Sequence, residues 1–212
     1  MNENIKKEEK IIFKVSVLGH SSVGKTSFIH CFCGTHLLKN LGEIGVYKNK
    51  RILKRDNKRV ELKIFDSVGQ ERFKCIPKSY FESADGIILI YDVSNQKSFI
   101  GVKDWIINIK NIINLNKVGC VIVANNCDID KEKWEVTDGM KQNLIETENV
   151  KVIEASAKNN INVSETFDFL VDEMIKLGKG KKSNRNENDD VQENLNALNN
   201  KNKNNKNEGC FT

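Results

Sequence analysis

Gly19-His20-Ser21-Ser22-Val23-Gly24-Lys25-Thr26 follows the apolar run Ile11 to Leu18 and precedes a helix-like segment. A glycine at each end lets the backbone wrap around a polyphosphate with its N–H groups turned inward, and a helix starting near Lys25 adds its positive dipole end. This is the pattern of a phosphate-binding loop in a strand–loop–helix setting. Lys25 is placed to reach the β- and γ-phosphates and the Thr26 hydroxyl to hold Mg²⁺. The nucleotide-binding stretch read from this pattern runs through Ser27.

Strand and helix patterns alternate over the rest of the chain. Strands are expected at Ile11 to Leu18, Arg51 to Arg55, Val60 to Phe65, Gly86 to Tyr91, Val118 to Ala124 and Val150 to Ala155. Helices are expected at Lys25 to Cys33, Gln96 to Leu115, Asp138 to Glu146 and Val163 to Leu177. Such alternation predicts an α/β fold with a mostly parallel six-stranded sheet and helices on both faces. Ile87-Ile88-Leu89-Ile90 is apolar throughout, as a strand buried on both faces must be. In such sheets ligands sit beyond the carboxyl ends of the strands, where the phosphate loop lies. The domain is expected over 11–177, after an N-terminal extension of residues 1–10.

From Gly178 the composition turns to asparagine with lysine and acids, about a third Asn, so residues 178–212 are expected to be a disordered tail. With 39% hydrophobic and 30% charged residues over 212 positions, the chain has material for one ordinary domain plus that tail. No apolar run approaches the roughly 20 residues needed to cross a bilayer, and residues 1–10 contain no apolar signal core. The expectation is a cytoplasmic protein without a transmembrane segment. A net charge of +5 gives no case for nucleic acid as a partner.

Six scattered cysteines lack framework spacing and fit reduced thiols. His30, Cys31, Cys33 and His36 could converge on a metal, or the cysteines could be small buried filler beside the helix. Lys48, Lys50, Arg51, Lys54, Arg55, Lys58 and Arg59 crowd one apparent hairpin. Two readings of it are open: a solvated edge guarded against sheet-to-sheet pairing, or a surface for an acidic partner or anionic lipid.

Asp66-Ser67-Val68-Gly69-Gln70-Glu71 also opens at a strand end. Asp66 can hold Mg²⁺, the Gly69 N–H can meet a γ-phosphate, and Gln70 can orient an attacking water, which makes Gln70 and Lys25 the catalytic candidates. Asn125-Asn126-Cys127-Asp128 closes a later strand. A carboxylate such as Asp128 accepts both the N1–H and the exocyclic amine of guanine, whereas adenine offers it an unprotonated N1. After the next strand come Ser156, Ala157 and Lys158, where the Ala157 N–H can donate to guanine O6 and the Lys158 stem can cover the ring.

Taken in order, these motifs resemble the Ras superfamily of small GTPases, and within it the Rab family. The resemblance rests on Gly69-Gln70-Glu71-Arg72-Phe73, Ser79-Tyr80-Phe81, Tyr91-Asp92-Val93-Ser94, Ser98-Phe99 with Trp105, and Glu154-Ala155-Ser156-Ala157-Lys158. It spans about Lys10 to Leu177. Lys131-Glu132-Lys133 with Glu135-Val136, and Ile153 before Glu154, are faintly similar to the Rab-eighteen branch. The resemblance implies a G-domain fold, GTP and GDP as ligands, Mg²⁺ as cofactor, and a switch in vesicle traffic at the cytosolic face of endomembranes. Its implied partners are an exchange factor, a GTPase-activating protein and effectors. Phe32 is implied to stack at the guanine edge, with helix-end core packing as the alternative.

The chain departs from that family at several points. Ile44-Gly45-Val46 is preceded by Glu43 where a threonine is expected, so Glu43 becomes a candidate metal ligand that adds negative charge beside the phosphates. Asn126 stands where a bracing lysine is expected, and Ser22 replaces a loop glycine. Gly209-Cys210-Phe211-Thr212 offers one cysteine, open to a single prenyl group with an escort and a GDP-dissociation inhibitor as further partners, or left as a surface thiol. The alternatives to an active switch are a guanine-nucleotide-binding scaffold with an impaired first switch and a P-loop kinase.

Overall fold

A computed structural model describes residues 10–34, 48–55, 58–67 and 81–183, without the side chains of Lys48 and Ser183. The elements are β1 (Lys10–Gly19), α1 (Lys25–Cys33), β2 (Lys48–Arg55), β3 (Lys58–Asp66), β4 (Gly86–Asp92), α2 (Gln96–Lys110), β5 (Gly119–Asn125), α3 (Asp138–Glu148), β6 (Lys151–Glu154), α4 (Val163–Lys176) and β7 (Lys181–Ser183). The sheet order is β2-β3-β1-β4-β5-β6. Strands β3, β1, β4, β5 and β6 run parallel, and β2 pairs antiparallel with β3 at the edge.

The apolar strands need cover on both sides, and two separate cores provide it. On one side Phe13, Val15, Val17, Ile88, Ile90, Val121 and Val123 pack with α1 and α4. On the other, Leu18, Ile87, Leu89 and Ile122 pack with Phe99, Val102 and Ile106 of α2 and Leu144 of α3. Gly86 and Gly119 are register partners at the starts of β4 and β5. A Cβ on either would come within 2.9 Å of Met174, so their bare backbones let α4 lie close to the sheet.

Two expectations need correction. The helix from Gln96 ends at Lys110 rather than Leu115. The Asn111 N–H closes on the Ile107 carbonyl, Asn114 caps a short 3₁₀ turn, and Leu115 re-enters the core. The tail expected to be disordered from Gly178 is described as far as Ser183, and Lys181–Ser183 forms β7 against β1. The reason is an edge: β1 begins at Lys10, whereas β4 first meets it at Val15. Lys10 to Ile12 would therefore leave backbone groups unpaired on that side, and β7 pairs with those three residues.

Within the first core, Phe32 and Phe167 stack with ring centroids 3.6 Å apart and planes 11° from parallel. Phe167→Ala should cost about 3–5 kcal/mol of stability, read as a lower midpoint in urea unfolding. Burial alone would raise the pKa of Glu61 on β3, but hydrogen bonds and charges from Lys10 and Lys50 outweigh that and hold it below its ordinary 4.5. A depressed carboxylate contributes stability above its unfolded pKa and loses it as pH falls through the folded value. Glu61→Gln should therefore flatten stability against pH in that acid window, with little change in its slope near neutrality.

Candidate nucleotide-binding site

The phosphate loop leaves the end of β1 at Gly19, whose added Cβ would sit 2.2 Å from the Ile90 carbonyl oxygen. Gly24 closes the loop at φ 90, with its added Cβ 2.5 Å from Asn125 Nδ2. No side chain fits at either position, which is the physical content of the two glycines. Ser22 adopts φ 66, a left-handed conformation that costs a non-glycine residue about 1–2 kcal/mol. The loop thus keeps its glycine-like shape without the glycine, and the Ser22 side chain points outward, exposed.

The start of α1 carries no side-chain cap and no acidic residue in its first turn. None of the helix's own first-turn side chains therefore compensates its N-terminal partial positive charge. Lys25 is buried, and its Nζ donates to the Gly19 carbonyl at 3.1 Å and the His20 carbonyl at 2.8 Å. Thr26 Oγ1 donates to Asp66 Oδ2 at 2.6 Å, so the end of β3 meets the loop where sequence reasoning put both. His20, Ser21 and Ser27 lie on the rim, with His20 and Ser27 exposed.

Asn125 is the joint between the loops. Fully buried at the end of β5, it donates from Nδ2 to the Val23 carbonyl at 2.8 Å and accepts from the Ala157 N–H at 3.2 Å. Asn126 follows at φ 65, a conformation asparagine tolerates better than most residues. Asp128 Oδ1 accepts from Ser156 Oγ at 2.6 Å, and Lys158 Nζ lies 3.9 Å from Asp128 Oδ2. The Asn159 N–H donates to Ser156 Oγ, and the Cys127 N–H to the Ala155 carbonyl. Asp128, Ser156, Ala157 and Lys158 therefore form one laced pair of loops.

A second cluster holds these loops from behind. Lys141 of α3, 7% exposed, reaches Asp138 and Glu154, the latter two residues before Ser156. Trp134 lies between Lys131 and Lys141, each 5.0 Å from its ring, and donates from Nε1 to the Ile129 carbonyl. Burial would lower the Lys141 pKa, but the two carboxylates outweigh it and raise it. Sequence reading missed this brace because a lysine on a helix carries no signal of burial; only the fold brings Glu154 to it.

Two expectations are corrected here. Phe32 is 1% exposed, stacked on Phe167 and covered by Arg51 at 4.3 Å, so it is core packing and not a guanine platform. It lies at the far end of α1 from the phosphate loop, where an aromatic is drawn into the α1–α4 contact. The Ala157 N–H, expected to donate to guanine O6, donates to Asn125. Of the candidate metal cluster, His36 lies outside the described residues, and no group of histidines, cysteines or carboxylates among the described residues could hold a metal ion. Cys31 donates to Asn160, and burial pushes the Cys33 thiol up to about 11. Glu43, Gly69, Gln70 and Cys210 lie outside the described residues.

A phosphate-type loop at the carboxyl end of a parallel strand, with loops from β3, β5 and β6 beside it, is the arrangement of a P-loop α/β domain. The Ras family profile matches residues 14–176. The Ras-related protein Rab-3 of Caenorhabditis elegans is 38% identical over 162 residues, covering 76% of this chain and 73% of its own. Human Ras-related protein Rab-3A is 36% identical over 162 residues with the same coverage, and bovine Rab-3C 38% over 163 residues, covering 76% of this chain and 70% of its own. The chain belongs to the Ras family, as a Rab-type small GTPase.

Asn125→Ala removes an amide whose two partners are the buried Val23 carbonyl and the part-buried Ala157 N–H. It should cost about 1–3 kcal/mol for each group left unpaired, seen as a lower thermal midpoint, and should speed nucleotide release in a stopped-flow displacement assay.

Proposed function

We propose that this protein binds GTP and GDP with Mg²⁺, hydrolyses GTP slowly and acts as a switch in vesicle-mediated membrane traffic. The observation that supports this most is the double hydrogen bond of Asn125, which ties the phosphate loop at Val23 to the base-reading loop at Ala157. A single ligand with phosphates at one end and a base at the other matches loops joined in this way.

The residues share out the work by chemistry. Lys25 exchanges the Gly19 and His20 carbonyls for phosphate oxygens when a nucleotide enters, so its ammonium stays satisfied in both states. Asp128, held in orientation by Ser156, accepts the two N–H groups of a guanine edge. Thr26 and Asp66 supply a hydroxyl and a carboxylate side by side, and hard oxygen donors of that kind beside phosphate oxygens suit Mg²⁺. Bound there, the ion would neutralise charge on the β- and γ-phosphates. Gln70 orients the attacking water, the Gly69 N–H meets the γ-phosphate, and Glu43 is a further candidate metal ligand. His20, Ser21, Ser22, Ser27, Asn126 and Lys158 complete the contact set.

The partners of such a switch are an exchange factor, a GTPase-activating protein and effectors. A prenyl group on Cys210 would add an escort and a GDP-dissociation inhibitor, and place the protein reversibly on cytosolic membrane faces. No helix among the described residues is long and apolar enough to cross a membrane. The scaffold reading is favoured by one observation, Glu43 in place of the threonine that the family uses to sense a γ-phosphate.

Calorimetry with Mg²⁺ should give GDP and GTP binding at least about 10²-fold tighter than ADP and ATP, since two charge-assisted hydrogen bonds separate the bases. Equal affinities would overturn the nucleotide assignment. In single-turnover hydrolysis, Gln70→Leu should lower the rate at least about tenfold, and equal rates would leave the scaffold as the better reading.

A further inference from the structure

The strand register gathers basic side chains from three strands onto one side of the sheet. Lys50, Lys63 and Lys14 are register partners across β2, β3 and β1, and so are Lys54, Arg59 and Lys10. Partners in register point the same way, so these are two parallel rows of three cations, roughly 13 Å apart along the strands. Between them runs a row of Ile52, Glu61 and Ile12, extended by Lys181 of β7. Alternation in β2 agrees: Lys50, Ile52 and Lys54 are exposed, while Asn49, Arg51, Leu53 and Arg55 are partly covered.

The hairpin's charge therefore divides. Arg51 lies over Phe32 and Arg55 reaches Asp168 and Asp172 of α4, so both serve the fold on the opposite side. Among the described residues, seven cations share the three rows with one carboxylate, Glu61, which is 2% exposed beneath Lys10, Lys50 and Lys63. Asp85 at the border is engaged by the Lys14 and Gly180 N–H groups. Farther across the same side, Leu18, Ile87 and Leu89 lie in the core built with α2. Ile52 is 41% exposed at the centre of the outer strand, between Lys50 and Lys54.

We propose that this sheet face docks on an anionic phospholipid surface, with the lysine rows over the headgroups and Ile52 entering between them. A sheet face is a flat array, and cations spaced in rows with one protruding apolar side chain complement a charged plane better than a folded acidic peptide, which a groove would grip. Two cavities among the described residues lie elsewhere, at 110–116 with 147–149 and between Phe99 and Asn143. Strand β7 brings the chain to Ser183 beside Lys10, and the sequence after it holds Lys201, Lys203 and Lys206. The inference goes beyond the nucleotide reading and does not rest on it.

The test uses the full-length protein without lipid modification, sedimented with phosphatidylcholine vesicles with or without phosphatidylserine. Binding should require phosphatidylserine and weaken as salt rises. Each cation near an anionic surface contributes about fivefold, so Lys50→Gln, Lys54→Gln and Lys63→Gln together should weaken binding by about two orders of magnitude. The same number of lysines removed elsewhere, at Lys103, Lys117 and Lys176, should leave most of it. Ile52→Ser should weaken binding without changing its salt dependence. Circular dichroism and GDP calorimetry on each variant show that fold and nucleotide site are intact. No binding to phosphatidylserine vesicles, binding unaffected by the sheet substitutions, or binding lost only when Lys201, Lys203 and Lys206 are replaced would overturn the proposal. A partner that is an acidic protein would give the first of these outcomes.

Discussion

The buried carboxamide of Asn125 is the interaction on which the site depends. Its donor and acceptor both point into dry protein, and each needs a partner there. Those partners are the Val23 carbonyl of the phosphate loop and the Ala157 N–H of the last strand-end loop. Two loops separated by more than a hundred residues are thereby fixed to one point at the end of β5. Gly24 has to be glycine for the same reason, since a side chain there would strike the amide. The demand for satisfied hydrogen bonds in a low-dielectric interior is what makes three separate loops into one surface.

That joint works because of the layer beneath it. Five parallel strands end on the same side, so every loop that follows one of them opens toward the same space. The central strands β4 and β5 are buried on both faces by separate cores, and the close approach of α4 over Gly86 and Gly119 sets the spacing on one of them. Lys141 and Trp134 then hold the backs of the loops that carry Asp128 and Ser156. The charged groups at the other end of the sheet, Lys10 and Glu61 among them, belong to a different surface with a different electrostatic task.

Much of this was legible without coordinates, and the successes and failures divide by range. The phosphate loop, the alternating elements and the pairing of Asp66 with Thr26 follow from local patterns that recur at strand ends. Phe32 was misread because spacing from Lys25 along a helix says nothing about which aromatic from α4 will meet it. The Ala157 N–H was assigned to a base because its nearest protein acceptor, Asn125, lies 32 positions away. β7 was missed because Lys181 to Ser183 has no apolar pattern; its strand state is imposed by the open edge of β1.

By itself the sequence determined the order of the elements, the glycines of the loop and the residue types available for phosphate, metal and base, since these depend on backbone sterics and side-chain chemistry within a few positions. Tertiary structure alone decided which of those groups remain free for a ligand and which are used inside the protein. It put Phe32 into the core, engaged Asn125 and Ala157 with each other, and sorted the hairpin cations onto opposite faces. Burial and hydrogen-bond partnership are properties of neighbours distant in the chain, and no local pattern encodes them.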